Sequence, residues 1–471
     1  MRNSATPPRV YFLGIGGTLM GNLAILAKQA GYEVAGFDKK IYPPMSDQLA
    51  ASNIEVHDNF DSSHLQPPPD VVVVGNASMP RGNPALEYTL NHGLNYQSGA
   101  EWLADTILRD RHVIAVSGTH GKTSTTAMVS WILHCAGTDP GFLIGGASRN
   151  FDYSATLGSA PFFVVEADEY DTSYFDRRSK FRHYRPKTLV IGNLEFDHAD
   201  IFDSLDEIKY QFQHLVREIP ANGRIIVPAN DEEIESLLER GCWTPVERFT
   251  VKPNSDRTPH SSSNSTYSAV QIAPDGTSFD VVRNGSRVGS VNWSQFGLHN
   301  VSNAMSAILA AEHCGVDPKQ STQYLASFHG VKRRMEVIAQ SGETTVYSDF
   351  AHHPTAILRT LDALRQHVGN AHILAVVEPR THTMSLGTYR DKLKTCCTPA
   401  DEVIWYRTKT IKWELDELAQ DSTIPTRVCS RIEEVVDTIC RPRESPTHVV
   451  IMSNGGFDGI FALVTNSMQR L

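Results

Sequence analysis

Six residues, Gly118-Thr119-His120-Gly121-Lys122-Thr123, follow the apolar strand HVIAVSG and precede an amphipathic stretch through Met128, Ile132 and Leu133. A glycine-rich loop in that position aims backbone N–H groups and a helix N-terminus at phosphate, with the lysine on the β/γ-phosphates and the threonine hydroxyl on Mg²⁺. The segment reads as a nucleoside triphosphate cradle that runs on into Ser124. The usual phosphate-loop spacing needs glycine at 116, where this chain has Val116, so a glycine turn with a surface lysine is the competing reading. Two acidic runs, Glu166-Ala167-Asp168-Glu169 and Asn193-Leu194-Glu195-Phe196-Asp197-His198, follow the apolar strands PFFVV and TLVIGN. Carboxylates there supply the hard oxygen ligands that Mg²⁺ prefers, and neutral His198 adds a donor for a second ion. With the loop, they predict metal-assisted phosphoryl transfer.

A second glycine turn, GIGGTLMG at 14 to 21, carries a weaker signal. The third glycine of a dinucleotide fingerprint falls at Leu19, although Asp38 lies at the ribose-binding distance after a second strand. A diphosphate-bearing ligand and a ligand-free tight turn both remain open. Three later segments, FGLHNVSNA at 296 to 304, GVKRRME at 330 to 336 and SDFAHHPT at 348 to 355, read singly as a helix cap, a basic linker and a strand-ending loop.

The elements that must position these residues alternate in α/β fashion. RVYFL, YEVAGFD and VVVVGN are apolar strands of a first, parallel unit, and a second sheet opens at residue 112. Residues 252 to 266 are too polar to pack and predict an exposed loop. YSAVQIAP, TSFDVVRN and SRVGSVNWSQF then alternate like a small antiparallel meander, closed by a helix from Asn303 to Cys314. From Lys332, strands at TTVYSDF, HILAVVEP, DEVIWY and HVVIMSN alternate with helices at 354 to 367, 387 to 396 and 431 to 440, and SNGGFDG at 453 to 459 reads as extended. Three α/β domains result, at 1–108, 109–330 and 331–471, in line with about 150 residues per domain for 471 residues. Hydrophobic residues at 41% and charged residues at 20% exclude a disordered chain, and a net charge of -10 argues against a nucleic-acid partner. No segment offers a membrane span or a signal peptide, and the seven cysteines contain no C-x-x-C pair, which predicts a reducing cytoplasm.

Taken in order, GIGG, GTHGKT, EADE, NLEFDH, HNVSNA, GVKRRME and DFAHHPTA resemble the Mur ligase family, ATP-dependent amide ligases of peptidoglycan synthesis. The resemblance spans nearly the whole chain. It implies a Rossmann-like UDP-sugar domain, a central P-loop ATPase-type domain and a Rossmann-like C-terminal acceptor domain. It also implies that ATP phosphorylates the lactyl carboxylate of UDP-N-acetylmuramate and that an amine then attacks the acyl phosphate. YPPMS at 42 to 46, GNASMPRGNP at 75 to 84, DRRSKF at 176 to 181, EPRTHTM at 378 to 384 and SNGGFDG resemble the branch that adds the cell-wall tripeptide L-Ala-γ-D-Glu-meso-diaminopimelate in recycling. The branch adding L-alanine is the alternative.

Residue by residue, the resemblance implies that Lys122 holds the β/γ-phosphates, that Thr123 and Glu166 bind one Mg²⁺ and that His198 binds another. Gly118, Thr119, His120, Gly121, Ser124, Asn300, Asn303 and Arg334 would surround the nucleotide, Arg333 or Arg334 would be the linker arginine that reaches the phosphates, and Arg333 and Asp349 would be further catalytic groups. Gly14, Gly16, Gly17, Thr18, Met20, Asp38, Asn76 and Ser78 would face the UDP-sugar, and Arg380, Asn454 and Gly455 the acceptor. Lys209 is spaced shorter than the carbamylated lysine of several relatives, and no carbamate is assigned to it. An oxidoreductase using GIGG and Asp38 would leave GTHGKT, EADE and NLEFDH without a role, and a nucleotide-gated binding protein without turnover would need substitutions at Lys122, Glu166 or His198, none of which is present.

Overall fold

A computed structural model describes residues 7–43, 45–75, 79–229, 231–252 and 265–470. Most of the predicted polar loop at 252 to 266 lies outside these residues. Among them the strands form three sheets, of five, ten and six strands.

The first sheet is wholly parallel, in the order Glu55–His57, Glu33–Phe37, Arg9–Leu13, Val71–Val74, Tyr96–Ser98. Val71–Val74 is buried at every residue, as a strand covered on both faces by helices must be. The GIGG turn leaves the C-terminal end of the middle strand and leads into the helix Thr18–Gln29. That end is the switch point of the strand order, where open α/β sheets bind ligands.

In the ten-stranded sheet, His112–Ser117 lies between Thr188–Ile191 and Phe162–Glu166, all parallel. The phosphate loop and both acidic runs therefore leave the same edge side by side. The antiparallel strands Tyr267–Val270, Ser278–Arg283 and Ser286–Asn292 continue this sheet, joined to it by the parallel pairing of Tyr267–Val270 with Val246–Val251. The helix expected from Asn303 begins earlier, spanning Leu298–His313 after Gly297 at φ 95°.

The third sheet runs Glu336–Ser341, Thr344–Asp349, Thr447–Met452, His372–Val377, Glu402–Tyr406, Thr426–Cys429, with only the first pair antiparallel. Two sequence expectations change here. The helix at 387 to 396 shrinks to the four-residue α-helix Arg390–Leu393, separated by Gly387 at φ 79° from another at His382–Ser385. SNGGFDG is no strand: pairing ends at Met452, and Phe457 and Asp458, both at φ 47°, turn the chain into the helix Ile460–Met468.

The central and C-terminal units meet through polar contacts. The Thr355 hydroxyl donates to Glu195 Oε2 at 2.5 Å, the Ala199 N–H donates to Thr383 Oγ1 at 3.1 Å, and the Tyr389 hydroxyl donates to the Phe196 carbonyl. His353, fully buried, accepts the Thr355 N–H at Nδ1 and so caps the helix Pro354–Val368. Burial favours the neutral form of Glu195, yet His120 and the Thr355 hydroxyl stabilise its carboxylate and hold it down at about 2.

A carboxylate with a depressed folded pKa contributes stability above its unfolded value and loses it as pH falls. Replacing Glu195 by Gln should lower the melting temperature at neutral pH, and the gap from wild type should close between the ordinary value of 4.5 and about 2. Melting curves of both proteins across that range test this, and a gap that does not vary with pH would remove Glu195 from the interface energetics.

Candidate functional site

The phosphate loop is conformationally locked. Gly118 and Gly121 have φ of 127° and 82°, and a Cβ on Gly121 would lie 2.6 Å from Asn303 Oδ1, so neither position admits a side chain without rearrangement. Asn193 braces the loop from the neighbouring strand end. Its Oδ1 accepts the His120 N–H at 2.9 Å, its Nδ2 donates to the His120 carbonyl at 3.0 Å, and its own carbonyl accepts the Thr119 N–H.

Lys122 begins the helix Lys122–Cys135 and turns its ammonium back over the loop, donating to the Gly118 carbonyl at 2.8 Å and to Glu169 at 3.0 Å. Burial opposes its charge, but Glu169, Asp168 and Glu166 outweigh burial and raise its pKa above the ordinary lysine value. Glu169 is the centre of the cluster. It is 2% exposed and also meets His198 Nε2 at 3.0 Å, while His198 sits at φ 59° with its N–H on Asp197. The sequence shows Glu169 and Asn193 within the two runs, the former among possible Mg²⁺ ligands, but not Glu169 as the partner of Lys122 or Asn193 as the brace of the loop. Their partners come from other strands, and the only signal in the sequence was that both residues directly follow apolar strands.

Glu166 accepts the Thr123 hydroxyl at 3.1 Å and the Gly145 N–H at 2.8 Å, and burial pushes its pKa up. A hydroxyl and a carboxylate oxygen about 3 Å apart match adjacent corners of an octahedron with ~2.1 Å bonds, so the pair fits Mg²⁺. Asp168, Glu169 and His198 present ligand atoms within 4.8 Å of one another and form a second candidate set. His120, Glu195 and His353 are equally close. In that group Thr355 bonds His353 Nδ1 and Glu195 Oε2, so it also joins the two units. Lys209 bonds Ser236 at 2.9 Å and pairs with Glu233 on the helix Glu232–Glu239.

Beside the loop opens a cavity of about 850 Å³, lined by Gly121, Ser124, Asn300, Asn303, Arg334 and Asp349 among others. Asn300 and Asn303, three apart on one helix, share a face and bond each other at 3.3 Å. Asp349 is buried and accepts the Met335 and Ala351 N–H groups at 2.9 and 2.8 Å, which fixes the linker that carries Arg334. Arg333 does not reach this cavity. Its Nη2 donates to the carbonyls of Ser453 at 2.6 Å and Gly455 at 2.7 Å, and its guanidinium lies over the rings of Phe350 and Phe461. Of the two linker arginines, Arg334 lines the cavity while the Ser453 and Gly455 carbonyls hold Arg333, which corrects the expectation of Arg333 as a catalytic group at the phosphates.

In the first unit, Gly16 N–H donates to Asp38 Oδ2 at 3.0 Å and Gly14 N–H to the Phe37 carbonyl, while Gly17 and Thr18 stand exposed at the helix start. Met20 is a correction. Its side chain is 6% exposed and packs against Gly75 and Gly99 in the core, so only its backbone faces the turn. Asn76 and Ser78 lie outside the described residues. At the C-terminal end of His372–Val377, the exposed Arg380 lies directly over Gly455, beside Asn454. Arg380, Asn454 and Gly455 are thus brought together.

Three family descriptions match the chain: "Mur ligase family, catalytic domain" at 9–111, "Mur ligase middle domain" at 116–311 and "Mur ligase, glutamate ligase domain" at 333–455. The chain is 46% identical over 463 residues to the UDP-N-acetylmuramate–L-alanyl-γ-D-glutamyl-meso-2,6-diaminoheptandioate ligase of Escherichia coli (strain K12), covering 98% of both chains. With the UDP-N-acetylmuramate–L-alanine ligase of Clostridium perfringens it shares 32% identity over 400 residues, covering 84% of this chain and 82% of that relative. The crystal structure of a murein peptide ligase from Psychrobacter arcticus matches with a TM-score of 0.74 and 42% identity, over 98% of this chain and 99% of that one. With the phosphate loop, its carboxylates and the linker arginine in one cleft, and with relatives matched from end to end, the chain belongs to the Mur ligase family.

Proposed function

We propose that this chain is an ATP-dependent ligase joining the lactyl carboxylate of UDP-N-acetylmuramate to the amine of L-Ala-γ-D-Glu-meso-diaminopimelate. The observation that carries the acceptor is the 46% identity, end to end, with the tripeptide ligase, against 32% with the L-alanine ligase. Residues 1–108 are assigned to the UDP-sugar, 109–330 to ATP and 331–471 to the acceptor.

The residues divide the reaction as follows. Lys122, charged and held by Glu169, stabilises the negative charge that develops as the γ-phosphoryl group leaves ADP for the carboxylate. Thr123 and Glu166 would hold Mg²⁺, with His198 and Glu169 at a second position, and the metal would neutralise phosphate charge when bound. Arg334 faces the nucleotide from the linker, and Asn300 and Asn303 shape the cavity for the base. The acyl phosphate then yields to the acceptor amine, and phosphate departs. Arg380 is placed to pair with a carboxylate of the tripeptide, since a guanidinium grips carboxylate through two parallel bonds. Free thiols at all seven cysteines and the nucleotide-linked substrates support a cytoplasmic setting, and among the described residues no helix is long and apolar enough to cross a membrane.

Three measurements test this. Lys122→Ala should lower kcat by about 10²-fold or more at a temperature where the variant is still folded, because the lost contact acts in the transition state, and its melting temperature should fall because Glu169 and Asp168 lose their counter-charge. Near-normal turnover would separate the loop from the chemistry. Phosphate release with UDP-N-acetylmuramate, ATP and either L-alanine or the tripeptide should favour the tripeptide, and preference for L-alanine would overturn the acceptor. In Arg380→Ala the KM for tripeptide should rise about tenfold or more, with those for ATP and the UDP-sugar within about twofold.

A further inference from the structure

Arg333 and Arg334 are adjacent, yet they serve different ends of the C-terminal unit. Arg334 lines the nucleotide cavity. Arg333 bridges the Ser453 and Gly455 carbonyls with one nitrogen, sandwiched between Phe350 and Phe461 at 5.3 and 4.8 Å. Its backbone N–H donates to Glu336 at 2.8 Å, and two residues on, Met335 is pinned to Asp349. Arg333 and Met335 hold φ of 58° and 48°, a conformation that persists only where the surroundings enforce it. The loop that Arg333 grips is in turn bonded to the acceptor side: Ser453 donates its hydroxyl to the buried Glu378, and Gly455 underlies Arg380.

We propose that Arg333 is a positioning residue that sets the acceptor loop 453–455 from the same linker that brings Arg334 to the nucleotide. The role rests on the reading that this loop and Arg380 receive the acceptor. The linker can seat Arg334 only when its backbone takes the path fixed by Asp349, and that path also places Arg333 under the loop. Nucleotide closure and acceptor binding thereby share one segment. A lysine keeps the charge at 333 but cannot offer a flat guanidinium both to two carbonyls and to two ring faces.

Two reactions separate the ends of the linker. Hydroxylamine, a small neutral nucleophile, intercepts the acyl phosphate as a hydroxamate without needing the acceptor loop, whereas the tripeptide needs it. In Arg333→Lys, hydroxamate formation from ATP and UDP-N-acetylmuramate should stay within about twofold of wild type, while the KM for tripeptide rises about tenfold or more. Phe461→Leu, which removes one ring face, should raise the same constant by a smaller factor and serves if the lysine variant does not fold. Hydroxamate formation falling in step with ligation would show Arg333 acting at the phosphates and overturn the proposal. An unchanged tripeptide constant in both variants, beside a wild-type enzyme that uses the tripeptide, would overturn it alone. A wild-type enzyme that forms hydroxamate but ignores the tripeptide would overturn the acceptor reading, and this role with it.

Discussion

An ammonium group enclosed by protein must be matched by carboxylates, because each ion loses several kcal/mol of hydration on burial. Lys122 has that requirement, and Glu169 and Asp168 meet it at 3.0 and 3.7 Å. These carboxylates can converge on the lysine because Phe162–Glu166 pairs directly beside His112–Ser117 in the sheet. On the other side, Thr188–Ile191 delivers Asn193 to brace the loop and His198 to bond Glu169. Strand order in the central sheet is therefore the constraint from which the site follows. Any other neighbour for His112–Ser117 would leave either a buried lysine without a counter-charge or a loop without its brace.

The C-terminal unit completes what the central unit begins. The cavity beside the loop takes Asn300 and Asn303 from one side and Asp349 from the other, so its walls exist together only while the two units touch. Their contact combines hydrogen bonds, Thr355 on Glu195, Ala199 on Thr383 and Tyr389 on Phe196, with the packing of Phe196 and Phe296 against the C-terminal core.

Legibility in the sequence followed locality. GTHGKT was readable because a glycine loop between strand and helix dictates its own backbone, and VVVV at 71 to 74 because an unbroken apolar run admits few other placements. The strand Glu336–Ser341 escaped notice: it lies at the sheet edge with no residue fully buried, so its pattern carries no clear period. Glu169 was invisible as a centre because its partners Lys122 and His198 are 47 and 29 residues away in sequence. Arg333 and Arg334 could not be told apart by spacing. Arg333 and Met335, both at positive φ, and the bonds of Arg333 to Glu336 and to the 453–455 loop leave Arg334 as the one that lines the cavity.

The two glycine turns show how one backbone device can be set for different anions. In each, part of the loop is already satisfied: Asn193 takes the Thr119 and His120 N–H groups, and Phe37 and Asp38 take those of Gly14 and Gly16. The donors left over are those of the first helical turn, from Lys122 in one case and Thr18 in the other, which have no partner within their helices. At the central turn a lysine and a nearby metal-fitting pair add charge to those donors, as a triphosphate in reaction demands. At the first turn no lysine follows the glycines, and Asp38 adds negative charge instead. Under the proposed function that difference is physically sensible. The UDP-sugar is held there by neutral backbone donors and is not activated, and charge stabilisation is concentrated where the acyl phosphate forms.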